Sequence, residues 1–276
     1  MDTGNSSNFF HNAIKSGFPN ATNIRTPEGC SPKKPIFVAD TRKRGPIICK
    51  FVDSRIAMRD KNISERLVKK GFPVPKININ GYIAQWYEVY DYNPNRTLAQ
   101  HLKNHIGDDR IFETYKQALD IQARLAECSL DDIYSYSSIG KYFSDVYKIT
   151  APVARPKILT NIYSAIIKIL SRWHNVHLVH CDLKPANIIC KDDGSLDQII
   201  DVTGIALASE EFAMISILES FPLPDLSEDL MDYYDGITHR KLDRNFVRTG
   251  LKLVKQKQSL QSTVRKHIQN LGTKTK

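Results

Sequence analysis

Cysteine is scarce: the chain has 5 in 276 residues, at 30, 49, 128, 181 and 190, and none are spaced as CxxC. That excludes a readable disulfide framework or zinc site and points to reduced thiols in a cytosolic setting. No apolar run reaches about 18 residues, the length a membrane-crossing helix needs. Residues 1–10 are polar apart from Phe9 and Phe10, with no basic stretch ahead of an apolar core, so no secretory signal is expected there. Internal repeats and low-complexity tracts are also missing. At 41% hydrophobic and 25% charged residues the composition is that of a globular protein, which excludes disorder, collagen and coiled coil as the main class. The length suits one large domain or two lobes around a cleft.

Charge is the first positive signal. Lys and Arg total 39 against 30 Asp and Glu, a formal net charge of +9. Such a balance favours anionic ligands, nucleotide phosphates among them, and makes a polycationic substrate less attractive. It is uneven, because residues 240–276 hold eleven basic side chains and a single acid, Asp243. Aromatics do not interleave with those charges. The tail therefore reads as a solvated face rather than a stacking platform for nucleic acid.

Residues 1–24 read as a loose polar lead-in. Pro35–Asp40 and Gly45–Phe51 are short β-branched runs bounded by turn residues, with basic residues 41–44 as their hairpin turn. Arg59–Lys70 has Ile63 and Leu67 four apart and Gly71 at the position of a C-terminal cap, so a helix is expected. Asn80-Gly81 between two further strand-like runs is a strong hairpin signal. From Thr97 the pattern turns helical. Ile111, Tyr115, Leu119 and Gln122 share one side of 110–127, and Ile162, Ile166, Ile169 and Trp173 share one side of 161–173. After residue 208 the pattern is helical again, broken at Phe221-Pro-Leu-Pro. The expected fold class is α+β: an antiparallel strand-rich lobe with one helix over 25–93, then a mainly helical lobe over 94–276.

The chemistry concentrates in 178–204. Ile188–Cys190 and Gln198–Ile200 are strand candidates around the turn signal Asp193-Gly194. A hairpin symmetric about Gly194 sets Asn187 opposite Asp201. Hard oxygen donors placed that way suit Mg2+, which binds through one or two side chains plus substrate phosphates. Just upstream, Asp182 could orient or deprotonate a hydroxyl, and Lys184 could neutralise charge on a phosphoryl group in flight. An ordered Asp, Lys, Asn and second Asp is what in-line phosphoryl transfer uses: little covalent chemistry, much positioning. Lys50, in an apolar strand, is costly to bury without a partner.

His180-Cys-Asp-Leu-Lys-Pro-Ala-Asn187 resembles the catalytic loop of protein kinases and of their relatives, the aminoglycoside and choline phosphotransferases. Ile200-Asp-Val-Thr-Gly204 resembles their metal-binding Asp-Phe-Gly segment, and Ile47-Ile-Cys-Lys50 the strand whose lysine grips the α- and β-phosphates. The resemblance covers roughly residues 25–250 and implies a two-lobed protein-kinase-like fold using ATP and Mg2+. It makes Glu65 the ion-pair partner of Lys50. It makes Asp91 and Asn93 part of the hinge whose backbone binds adenine, and Gly29, Cys30 and Ser31 a turn offering N–H groups to phosphate. Asp182 and Lys184 become catalytic, Asn187 and Asp201 metal ligands, and His180 a brace of the loop.

Lys70–Lys76, Asn95–Leu102 and a helical insertion over 104–160 resemble the small-molecule branch. No Ala-Pro-Glu follows Asp201, and Cys181 replaces the arginine that reads activation-loop phosphorylation. Lys184 resembles protein Ser/Thr kinases instead. The leading expectation is a kinase acting on a small-molecule hydroxyl. An atypical serine/threonine protein kinase and an inactive binding module are the alternatives.

Overall fold

The computed structural model describes residues 3–27, 35–82, 85–104, 107–128 and 177–256. The chain splits into two units, Met1–Arg96 with Asp197–Thr203, and Thr97–Leu196 with Gly204–Lys276. The expected boundary at residue 93 thus moves to 96, and seven residues of the hairpin region join the first unit. Their anchors are local. Asn93 and Asn95 donate to the Asp197 carboxylate at 2.7 and 2.9 Å, and Ile199 N–H donates to Pro73 O at 2.7 Å.

The first unit is built on an antiparallel sheet of β1 (Thr22–Arg25), β2 (Ile36–Thr41), β3 (Gly45–Val52), β4 (Asn78–Tyr82) and β5 (Gln85–Asp91), in the order β1-β2-β3-β5-β4. Strand alternation divides its side chains between two faces. Phe37, Ala39, Ile47, Cys49, Phe51, Tyr87 and Val89 form one buried cluster. That cluster is closed by α1 (Thr3–Gly17), which contributes Ala13 and Ile14, both 0% exposed, with Phe10 packed beside them. The loose lead-in expected for 1–24 is therefore a helix and a strand. Phe10, Ala13 and Ile14 follow helical spacing, and the sheet face below them needs an apolar cover. Tyr87 also donates its hydroxyl to Ala13 O at 3.2 Å.

Helix α2 (Ser54–Lys69) follows β3. Asp53 caps it, accepting from Arg55 N–H, so it starts earlier than the apolar periodicity suggested. Ala57, Asp60, Ile63, Ser64 and Leu67 form its buried stripe. Gly71 ends it at φ +74°, a conformation that suits a residue without a Cβ. The hairpin of β4 and β5 pairs Tyr82 with Gln85 and Gly81 with Trp86. Asn80 and Gly81 thus lie inside the strand rather than at the turn. Gly81 is the cross-strand partner of Trp86 and lies beside its ring.

In the second unit, α3 (Leu98–Lys103) opens with a capping box of Thr97 and Gln100. Helix α4 (Asp108–Ala126) buries Ile111, Tyr115, Leu119 and Gln122. Strands β7 (His177–His180) and β10 (Ile205–Ala208) pair antiparallel, Ile205 opposite His180, and frame the loop between them. β8 (Ile188–Cys190) belongs to this unit, and the dividing points of the chain fall within β6 (Arg96–Thr97) and β9 (Leu196–Ile199). Beyond β10 come α5 (Glu210–Glu219) and α6 (Ser227–Thr238), then helical residues 244–256. Arg240, Arg244 and Arg248 pair with Glu210, Asp232 and Asp235, and Glu228, so this part of the basic tail is neutralised locally. The helix expected over 161–173 and most of the insertion expected over 104–160 lie outside the described residues.

Candidate active site

Lys50 leaves β3 directly across from Glu88 on β5, so the two side chains share one sheet face. The Lys50 ammonium donates to Asp201 Oδ1 at 3.0 Å and to Thr203 Oγ1 at 3.1 Å, with Glu88 Oε2 at 3.7 Å. Thr203 in turn donates its hydroxyl to Asp60 Oδ2 at 2.5 Å. Asp60, fully buried on α2, also accepts from Arg59 Nε and NH2 at 3.0 and 2.8 Å, and the same guanidinium reaches Thr203 O at 2.9 Å. Burial alone would lower the Lys50 pKa. Asp201, then Glu88 and Asp60, outweigh it and hold the ammonium above its ordinary range. Burial pushes the Glu88 carboxyl up to about 8 against the pull of Lys50, and Asp60 and Asp201 add to the rise.

Asp201 has φ +62°, a left-handed conformation uncommon for a residue with a side chain. Strain of this kind persists where surrounding contacts over-determine it, and it concentrates at functional sites. Here the contacts are Lys50 on its carboxylate and the Thr203–Asp60 bond two residues on.

The structure does not bring Glu65 to Lys50. Its carboxylate accepts from Lys61 at 2.7 Å, one turn back on the exposed side of α2, and that ammonium lowers its pKa. The helical stripe explains why: Asp60, not Glu65, falls in register with Ala57, Ile63, Ser64 and Leu67. A carboxylate inside an apolar stripe is a legible anomaly, and Asp60 carries it. Glu88 could be found only through strand register, which the sequence does not state.

The loop of the second unit is tied down at every residue that the sequence singled out. His180 is buried; its N–H donates to Gln122 Oε1 at 2.9 Å, and its Nδ1 accepts from Asp182 N–H at 3.2 Å. Cys181 N–H donates to Gly204 O at 2.8 Å. Lys184 Nζ reaches both Asp182 carboxylate oxygens, at 3.0 and 2.8 Å. Asn187 directs its Nδ2 to Asp182 O at 2.7 Å and to Asp182 Oδ2 at 3.0 Å. Pro185–Asn187 forms a 3-10 turn that fixes these spacings. Gly204 is required by proximity: a Cβ there would lie 2.8 Å from His180 Cε1 and 3.2 Å from Asp182 Cβ.

The turn after β8 closes with Lys191 N–H on Ser195 O, which centres it on Asp193, one residue before the Gly194 expected. Helix α4 holds it from outside: Arg110 donates to Asp193 O at 2.7 Å, Thr114 to Gly194 O at 2.7 Å, and Gln117 accepts from Leu196 N–H at 2.7 Å.

In the hinge segment the Asp91 side chain pairs with Arg44 at 2.8 Å and Asn93 is committed to Asp197. Backbone groups, rather than these side chains, are what the segment can offer a base. Gly29, Cys30 and Ser31 lie outside the described residues.

The metal-ligand candidates divide between the units, Asp201 in the first and Asn187 in the second. With its amide nitrogen spent on Asp182, Asn187 has its carboxamide oxygen left as the donor atom, which fits a hard cation. Among the described residues no group of three or more His, Cys, Asp or Glu could hold a metal alone. A carboxamide oxygen and a carboxylate are each the kind of hard oxygen donor that Mg2+ takes beside water and phosphate.

No protein-family model and no curated protein matches the sequence. Solved structures do. The GDP and kanamycin complex of the aminoglycoside phosphotransferase APH(2")-IIia aligns over 95% of this chain and 94% of its own, at 12% identity and TM-score 0.68. The choline kinase LicA from Streptococcus pneumoniae aligns over 95% and 92%, at 14% identity and TM-score 0.67. The fold is protein-kinase-like. A thermostable mutant of aminoglycoside phosphotransferase APH(4)-Ia, in ternary complex with ADP and hygromycin B, aligns over 92% of both chains at 12% identity and TM-score 0.64. Within this kinase-like fold the first unit is the strand-rich lobe and the second the mainly helical one. Among the described residues no helix is long and apolar enough to cross a membrane.

Proposed function

We propose that this kinase-like protein transfers the γ-phosphate of a nucleoside triphosphate, ATP first, to a hydroxyl of a small molecule. The observation that carries the reading is the loop around Asp182. One carboxylate is held by Lys184 on both oxygens and by Asn187 on one, yet its side chain stays 42% exposed. A carboxylate fixed in direction and open to solvent is placed to receive a ligand hydroxyl.

Asp182 aligns the acceptor hydroxyl and takes its proton late in transfer. Lys184 screens charge on the moving phosphoryl group. Lys50 binds the α- and β-phosphates, and the backbone of the Asp91–Asn93 hinge binds the base. Asn187 and Asp201 hold Mg2+, which when bound would neutralise phosphate charge. Cys49, Cys128, Cys181 and Cys190 stand outside any disulfide, which supports a cytosolic setting.

Solved structures of the same fold support a small acceptor, since they bind kanamycin or hygromycin B or are named a choline kinase. The net charge of +9 favours neutral or anionic sugar-like acceptors over polycations. The test is a transfer assay with γ-labelled ATP, and in parallel GTP, over aminoglycosides, amino alcohols, sugars and a generic protein. Mg2+-dependent label on a small hydroxyl compound is the expected result. Label on protein alone would move the assignment to a protein kinase, and nucleotide binding without transfer to any acceptor to a binding module.

A further inference from the structure

Lys50 needs an anchor that survives when Asp201 is engaged elsewhere. Resting on the nucleotide site just proposed, we infer that Glu88, on the strand beside Lys50, is the residue that positions the phosphate-binding ammonium. It takes the part that the resemblance assigned to the helix acid Glu65.

Three observations carry this. The first is register: Lys50 and Glu88 are direct cross-strand partners, and their charged ends lie 3.7 Å apart. The second is elimination among the neighbouring acids. Glu65 is turned to Lys61, and Asp60 is filled by Arg59 and Thr203. Asp201 is the proposed cation ligand. With its carboxylate committed to a cation, the buried acid within ion-pair distance of Lys50 among the described residues is Glu88. The third is burial. Glu88 is 1% exposed, its Oε1 meets no donor among the described residues and Lys50 is the cation beside it, so the acid keeps its proton while Asp201 holds Lys50 and ionises against Lys50 once Asp201 is taken up by the cation. Asp60 and Thr203 then have a separate task, holding the strained Asp201 segment against α2.

The pairing matters most in the nucleotide-bound state, because Asp201 already holds Lys50 in the empty one. Five proteins test it: wild type, Glu88→Gln, Lys50→Met, the double variant and Glu65→Gln. Each is titrated calorimetrically with Mg2+-ATP and Mg2+-GTP, and thermal unfolding without nucleotide is recorded. Glu88→Gln should weaken binding of the preferred nucleotide at least tenfold. The double variant should bind within about twofold of Lys50→Met, because Glu88 acts through the lysine. Glu65→Gln should bind like wild type.

Equal losses from Glu88→Gln in both lysine backgrounds would mean a merely structural role and would overturn the inference. Wild-type affinity in Glu88→Gln, with Lys50→Met impaired, would sink the inference and leave the nucleotide site standing. Unimpaired binding by Lys50→Met would instead sink the site itself. If Glu88→Gln does not fold, Glu88→Asp serves: the carboxylate retreats by one methylene, so affinity should fall, and unchanged affinity contradicts the proposal.

Discussion

Glu88 is a carboxyl kept in a place that water does not reach, and its titration should be visible in stability. Lys50 from β3, Asp60 from α2 and Asp201 after β9 are the charged groups around it. Its pKa rises from 4.5 to about 8 on folding, so the native state holds a proton that the unfolded chain releases. Stability from this group is present below about pH 4.5 and is lost as pH climbs to about 8. Denaturant midpoints measured from pH 5 to 8 should fall in wild type and flatten in Glu88→Gln. Parallel slopes in the two proteins would reject the burial argument. Gly204→Ala is the second residue-scale test. Its Cβ would enter the space of His180 and Asp182, an overpacking of about 1–3 kcal/mol. Transfer should fall at least tenfold while the melting temperature drops by only a few degrees; retained activity would show that the loop tolerates displacement.

Elements were legible where a single pattern sufficed. β2 and β3, α2 and α4 follow from β-branched runs, helical periodicity and turn residues. Two misreadings have physical causes. The chain's first helix was hidden because its polar residues dominate the composition, while its apolar contribution is the small set Phe10, Ala13 and Ile14. The Asn80-Gly81 signal was overridden by cross-strand pairing, in which Trp86 is the partner of Gly81. If α1 closes the sheet, Ile14→Ala should cost about 2–5 kcal/mol, since the side chain is 0% exposed. A loss below about 0.5 kcal/mol in urea titration would return the segment to a dispensable lead-in. In the second unit α4 should govern the β8–β9 turn: Gln117→Ala removes the acceptor for Leu196 N–H and should increase hydrogen exchange at 193–196. Unchanged exchange would contradict that control.

At the scale of the molecule, the fold class could be read from Lys50 and residues 178–204, because residue type and offset are constrained together there. The acids around Lys50 could not, because which carboxylate meets a lysine depends on strand register and helix phase. Glu65 was the acid that the resemblance named, and packing instead turns it to Lys61 and sets Glu88 beside Lys50. The division of the chain after residue 96, with 197–203 returned to the first unit, likewise rests on hydrogen bonds at Asp197 and Thr203 that no local pattern announces.

The most direct measurement is equilibrium binding of Mg2+-ATP beside phosphate transfer in Asp182→Asn. The variant should bind nucleotide within about threefold of wild type and lose transfer at least a hundredfold, an effect typical of removing a group that handles the proton. Transfer near the wild-type rate, or loss of binding and transfer together, would contradict the role given to Asp182.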